Sequence, residues 1–276
     1  MLLEYIKINM SNISLNNSAP IIGVFDSGLG GLTILNQLNK DFNNCQFIYF
    51  GDTAHLPYGT KSNKTIIIFC ENIVEFLISK GASIIIVACH SASAVAIKCL
   101  QEKYSIPIID VIQPSIQSSL DITQNKSICI LGTATTISSK TYSQHIHNLS
   151  PSIITHEIAC PLFVPIVEEG LEDSPIASLA AKMYLNPLNS LSIDTLILGC
   201  THYPMLINTI KNIINNNIII IDTGVAISNE LNKIIPKDSY NNSDNEYYVS
   251  DSPYRFNALA SKFLNQTINN IEQISL

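Results

Sequence analysis

Two short apolar runs that each end in a cysteine constrain this chain more than any other feature. Leu196-Ile197-Leu198-Gly199-Cys200-Thr201-His202-Tyr203-Pro204 delivers a thiol at the end of a strand-like run, followed by a hydroxyl, an imidazole and a proline suited to open a helix. Ile84-Ile85-Ile86-Val87-Ala88-Cys89-His90-Ser91-Ala92-Ser93 repeats the construction. Continuous apolar runs of this length predict parallel strands buried on both faces. The crest beyond such a strand is where open α/β sheets bind ligands, and a helix N-terminus behind the sulfur favours a thiolate. Taken singly, either cysteine also fits an ordinary core position, because free Cys is among the most buried residue types. Two matching crests weigh against that reading.

A second crest type also occurs twice. Ile21 to Phe25 reads as a strand that runs into Asp26-Ser27-Gly28-Leu29-Gly30-Gly31, and Ile218 to Ile221 runs into Asp222-Thr223-Gly224. Thr33 stands where a dinucleotide fingerprint needs its last glycine, so nucleotide binding is poorly supported. Asp26 is either a helix cap or an acid facing a cleft. Further strands are expected at Gln46–Gly51, 106–110, 127–131 and 153–158, with helices from near Ser62 to Lys80, through Lys103, through His147 and over 175–187. The duplicated crests predict an α/β protein: two similar three-layer lobes with mainly parallel sheets and the active site in the cleft between them.

With 46% hydrophobic and only 13% charged residues, against about 25% charged in ordinary proteins, the composition raises the question of a membrane protein. The apolar runs answer it, being far shorter than the ~20 residues a span needs. A net charge of −7 leaves no basic footprint for nucleic acid, so a small molecule is the expected partner. Seven cysteines without a C-x-x-C pair predict neither a disulfide framework nor a zinc site, and fit a reducing cytoplasm. Residues 1–19 read as a polar leader, with Met10 as a second candidate start.

Two thiols across a cleft can exchange disulfides, bind metal, or move protons. The first generally wants cysteines close in sequence and the second wants more ligands at fixed spacing. Proton transfer on both faces of one carbon fits better, since a racemase must remove hydrogen from one side of a stereocentre and return it to the other. His202, two residues beyond Cys200, is the natural group to manage that proton. Glu168 and Glu169 follow Cys160-Pro161-Leu162-Phe163-Val164-Pro165, and at least one of them is expected on the surface.

Over roughly residues 20 to 270 the chain closely resembles the cofactor-independent glutamate racemases. The resemblance rests on Gly23-Val24-Phe25-Asp26-Ser27-Gly28, Gly51-Asp52-Thr53-Ala54, Pro57-Tyr58-Gly59, Ala88-Cys89, the Cys160–Pro165 stretch with Glu168, and Gly199-Cys200-Thr201-His202-Tyr203-Pro204. It implies interconversion of L- and D-glutamate for peptidoglycan synthesis without cofactor or metal. It also implies discontinuous lobes, 20–112 with 222–276 and 113–221. Cys89 would take the proton of D-glutamate and Cys200 that of L-glutamate, assisted by Asp26, Glu168 and His202. Ser27, Pro57, Tyr58, Gly59, Ser91 and Thr201 would hold the amino and carboxylate groups, with Asp26 and His202 beside them. A homodimer is the one assembly considered.

The chain departs from the family at His90, where an asparagine is usual. A neutral imidazole keeps one donor and one acceptor and imitates part of the amide, whereas a protonated one would favour the Cys89 thiolate. His90 is therefore expected to contact substrate, to be tolerated, and to shape the pH dependence of the D-to-L direction. Aspartate racemases and maleate isomerases share the two-thiol arrangement and are the nearest alternatives. A two-lobed amino-acid-binding module without catalysis is the alternative of a different class.

Overall fold

A computed structural model describes residues 20–235, 244–264, 266–268 and 270–276, so the leader expected over 1–19 lies outside the described residues. One sheet is built from β1 (Ile21–Asp26), β2 (Gln46–Gly51), β3 (Ile84–Val87), β4 (Ile108–Asp110), β9 (Glu246–Val249) and β10 (Ile271–Gln273). The other contains β5 (Ser127–Gly132), β6 (Ile154–Ala159), β7 (Thr195–Gly199) and β8 (Ile219–Ile221). Their orders are β10-β9-β2-β1-β3-β4 and β6-β5-β7-β8, and every pairing is parallel.

Helices connect them: α1 (Leu32–Asp41), α2 (Asn63–Ser79), α3 (His90–Lys103), α4 (Ile112–Ile122), α5 (Ala134–Ser138), α6 (Thr141–Leu149), α7 (Phe163–Glu168), α8 (Pro175–Leu185), α9 (Ile207–Lys211), α10 (Thr223–Leu231) and α11 (Pro253–Leu264). Side chains alternate across the first sheet into two cores. Val24, Tyr49, Ile84 and Ile86 enter one, while Phe25, Ile48, Phe50, Ile85 and Val87 enter the other. Helices on both faces explain why these strands carry no polar alternation. The first of these cores continues through Ile128–Leu131 and Leu196–Leu198, joining the two sheets. Among the described residues no helix is long and apolar enough to cross a membrane.

Local chemistry sets the boundaries. Ser62 caps α2 by accepting from the Thr65 amide, worth about 1 kcal/mol, and Gly81 leaves it at φ +94°. Two stretches differ from the sequence reading, and one helix accommodates a proline. Ile112–Ile122 is a helix although it contains Pro114, because a proline in the first turn lacks only an N–H that would have no helical partner. Asp110 Oδ1 accepts from the Ile112 and Gln113 amides at 2.6 and 2.8 Å and secures that start. The helix expected through His147 breaks in two at Lys140, which sits at φ +58°. The chain after Cys200 forms only a 3-10 turn, Tyr203–Leu206, before the five-residue α9, so little helix dipole stands behind that sulfur.

Candidate active site

Parallel pairing brings the chemistry-bearing crests out at the same strand ends. Phe25 pairs with Val87, and Gly132 pairs with Gly199, so the Asp26 and Cys89 crests are neighbours, as are those of Thr133 and Cys200. Cys89 is the extended residue that opens α3, and its thiol donates to Ser27 Oγ at 3.7 Å. Ser27, Pro57, Tyr58, Gly59, Cys89, His90, Ser91, Cys200, Thr201 and His202 line one narrow pocket together with Leu56, Thr133 and Val164. Both sulfurs are therefore in a single cavity.

The two halves are tied by polar contacts that need close approach. Asp26 is completely buried beneath the pocket, where Oδ2 accepts from the Gly28 amide at 2.9 Å and Oδ1 from Thr201 Oγ at 3.2 Å. Thr33 Oγ donates to the Thr201 carbonyl at 3.1 Å. A Cβ on Gly30 would stand 2.2 Å from Thr201 Oγ and 2.5 Å from His202 Nδ1, so only glycine lets these crests meet. Asp26 is thus no helix cap. Its sequence echo Asp222 is one: that side chain is exposed and accepts from the Val225 amide at 3.1 Å at the start of α10.

The loop after β2 is held by Asp52. Its carboxylate accepts from Tyr58 Oη at 2.6 Å, from Ser250 Oγ at 2.7 Å, and contacts His55 Nδ1 at 2.8 Å. Beyond it the Gly59 carbonyl accepts from Thr135 Oγ at 2.9 Å, and Ser91 Oγ meets Thr133 Oγ at 2.9 Å. Two of the residues expected to hold substrate, Gly59 and Ser91, are thereby tied to a crest of the second sheet.

Electrostatics distinguish the two thiols. Burial, the Asp26 carboxylate and Cys200 push the Cys89 thiol up to about 12, overcoming the Ala92 amide and Ser27 hydroxyl that favour the thiolate. Cys89 therefore rests as a neutral thiol near pH 7, contrary to the expectation that its crest would promote ionisation. Burial also raises Asp26 above the usual carboxylate range, although His202 and its hydrogen bonds pull the other way. At His202 burial favours the neutral ring, but hydrogen bonds to Cys200 and Glu168 and the charges of Cys200 and Asp26 outweigh it, leaving a value of about 10. His202 Nε2 lies 3.1 Å from Glu168 Oε1. Glu168 sits behind the imidazole and outside the pocket lining, while Glu169 is exposed and pairs with Arg255 at 3.3 Å.

His90 is 2% exposed and neither ring nitrogen has a hydrogen-bond partner. Burial alone pushes it down to about 3. In this structure the imidazole is therefore neutral near pH 7, which runs against the protonated form weighed from sequence. Among the described residues no group of three or more His, Cys, Asp or Glu side chains is arranged to hold a metal ion.

The family model described as Asp/Glu/Hydantoin racemase matches residues 33–231. The chain belongs to that racemase family. The glutamate racemase of Geobacter metallireducens is 37% identical over 260 residues, covering 92% of this chain and 96% of that protein. A glutamate racemase isoform of Bacillus anthracis superposes with a TM-score of 0.88 at 33% identity, covering 93% of this chain and 98% of that one. The Francisella tularensis glutamate racemase solved with D-glutamate gives 0.86 at 37% identity, covering 94% and 98%.

Three pocket residues of this racemase-family chain were not anticipated. Thr133 opens the crest after β5, so the rule that places ligands at strand ends would have included it. Leu56 and Val164 are apolar, and nothing in their sequence neighbourhood separates a pocket wall from ordinary core.

Proposed function

We propose that this chain interconverts L- and D-glutamate by two-base proton transfer between Cys200 and Cys89. In the L-to-D direction Cys200 takes the α-proton, so a C–H bond breaks, an S–H bond forms, and the electron pair is delocalised into the substrate carboxylate. Cys89 then gives its thiol proton to the opposite face of the carbon. The reverse reaction starts at Cys89. The observation that carries this reading is the placement of both crest cysteines in one narrow pocket. Their unequal support fits it too: Cys89 rests as a proton donor, and His202, charged below about pH 10, stabilises negative charge on the Cys200 sulfur.

Ser27, Pro57, Tyr58, Gly59, His90, Ser91 and Thr201 hold the amino acid, and Asp26 orients Thr201 beneath it. Residues 20–112 with 222–276 act as one lobe and 113–221 as the other. Glutamate as substrate, and supply of D-glutamate to the cell wall, are the reading favoured by relatives that match nearly the whole chain. Incubation with each enantiomer of glutamate in deuterated water tests it. Incorporation of deuterium at the α-carbon with loss of optical rotation is expected, with aspartate a poor competitor. Binding without exchange would leave an amino-acid-binding module, and faster exchange of aspartate would reassign the substrate.

A further inference from the structure

Outside the pocket, α11 is the last helix described. It follows the first sheet but reaches over both halves. At its start, Asp251 exchanges hydrogen bonds with Thr53, and Ser250 joins the Ala54 amide, 2.8 Å away, to Asp52. These contacts fasten the helix to the loop that carries Pro57, Tyr58 and Gly59. At its other end, Phe263 is 3% exposed and presents an edge to the His202 ring, with centroids 6.1 Å apart and planes at 83°. Lys262 forms an ion pair with Glu172, whose side chain is 7% exposed. Glu172 lies just past the turn that closes α7, the helix that ends in Glu168, and that turn passes through Gly170 at φ +70°.

Two features set the Lys262–Glu172 pair apart from an ordinary surface salt bridge. Glu172 is nine-tenths buried, with Oε1 meeting Lys262 and Oε2 without a hydrogen-bond partner, so removal of Lys262 leaves an uncompensated carboxylate in the interior. The Glu172 carbonyl also accepts from Thr209 Oγ at 2.9 Å, which anchors the same turn to α9. The turn is thereby clamped from two sides. Glu168 and His202 belong to different elements, α7 and the crest after β7, and α11 contacts the crest at His202 and the turn that follows Glu168 at Glu169 and Glu172.

We infer that α11 positions the His202–Glu168 pair for the half-reaction at Cys200, with Phe263 as the backstop of the imidazole and Lys262 as the anchor of the Glu168 turn. Neither side chain lines the pocket. Both are positioning residues, and their effect falls on one thiol and spares the other. The inference rests on the proposed role of His202, and the test separates the two.

The experiment measures initial α-hydrogen exchange into deuterated water from L-glutamate and from D-glutamate, for Phe263→Leu, Lys262→Met, Lys262→Arg and His202→Asn. Phe263→Leu keeps the apolar volume near that of the original and guards against loss of the fold. Displacement of a catalytic group by about 1 Å costs up to roughly 100-fold, so Phe263→Leu and Lys262→Met should lose about 10- to 100-fold in exchange from L-glutamate. Exchange from D-glutamate, whose α-proton Cys89 removes, should change by less than about threefold on the same scale. Lys262→Arg, which retains the charge, should restore the L-side rate. The pH profile of L-side exchange should lose its alkaline shoulder earlier in the two damaging variants, as the imidazolium is less well held.

Equal losses from both enantiomers, or wild-type rates on both, in Phe263→Leu and Lys262→Met would overturn the inference. If His202→Asn itself shows no preference for the L side, the role assigned to His202 fails instead. A selective His202→Asn with unselective α11 variants rejects the positioning role alone.

Discussion

His202 Nε2 lies 3.1 Å from Glu168 Oε1, with the imidazole 2% exposed and the carboxylate held at the end of α7. Among the described residues no imidazole–carboxylate pair stands beside Cys89, whose thiol meets the Ser27 hydroxyl and the Ala92 amide. The pocket is thus asymmetric in its proton chemistry although its two crests look alike in sequence.

Cys89→Ser and Cys200→Ser should each reduce racemisation by roughly 10²- to 10⁴-fold, the usual contribution of a positioned acid or base. Circular dichroism should remain that of the parent, because serine fills nearly the same volume. Retained turnover of either enantiomer by either variant would remove the two-base reading.

Glu168→Gln should lower the His202 pKa by removing a charged acceptor. The folded value of about 10 lies above the ordinary 6.5, so the imidazolium contributes stability that is complete below pH 6.5 and lost as pH rises through 10. Denaturant midpoints measured from pH 6 to 10.5 should therefore fall with rising pH in the parent. In Glu168→Gln the fall should begin at lower pH, and coincident curves would show that the pair carries no such linkage.

His90 predicts the opposite slope at acid pH. Its folded value of about 3 lies below the ordinary 6.5, so the unfolded chain binds the extra proton first and stability is lost as pH falls from 6.5 towards 3. His90→Asn should flatten that limb by up to roughly 1.4 kcal/mol per pH unit. The D-to-L rate near pH 7 to 8 should keep the same pH profile, since the imidazole is neutral there. A changed profile would show that His90 titrates when substrate is bound.

Gly30→Ala should separate the Asp26 crest from Thr201 and His202. The new methyl would fall 2.2 Å from Thr201 Oγ, so the lobes must shift, at a cost of about 1–3 kcal/mol in stability. Thermal melting should register that loss, and kcat should fall from both enantiomers because Thr201 and its Asp26 bond move together. Gly170→Ala is the control: no atom lies within 4 Å of that site, so its cost arises from the positive φ alone.

Much of the scaffold was legible because strands buried on both faces leave an unambiguous apolar run, as at Ile84–Val87 and Thr195–Gly199. The site cysteines were legible for the same reason, since each closes such a run. What escaped depends on partners distant in the chain. Ile271–Gln273 has no strand pattern because β10 is an edge that pairs only with β9. The resting protonation of Cys89 escaped as well: its crest position argues for a thiolate, and only the depth of burial beside Asp26 reverses the sign. His90 and its unpartnered nitrogens belong to the same class.

A neutral thiol at Cys89 has a consequence for successive turnovers. Under the proposed two-base transfer, each passage from L- to D-glutamate would leave the proton on Cys200 and remove it from Cys89, so the protein that releases product would be the tautomer of the one that bound substrate. It is then set for the reverse reaction. To repeat the same direction it must first trade protons with water through a pocket that has little room for it. On that reading this resetting would compete with chemistry at saturating substrate, and the enzyme would carry a memory of which enantiomer it last released.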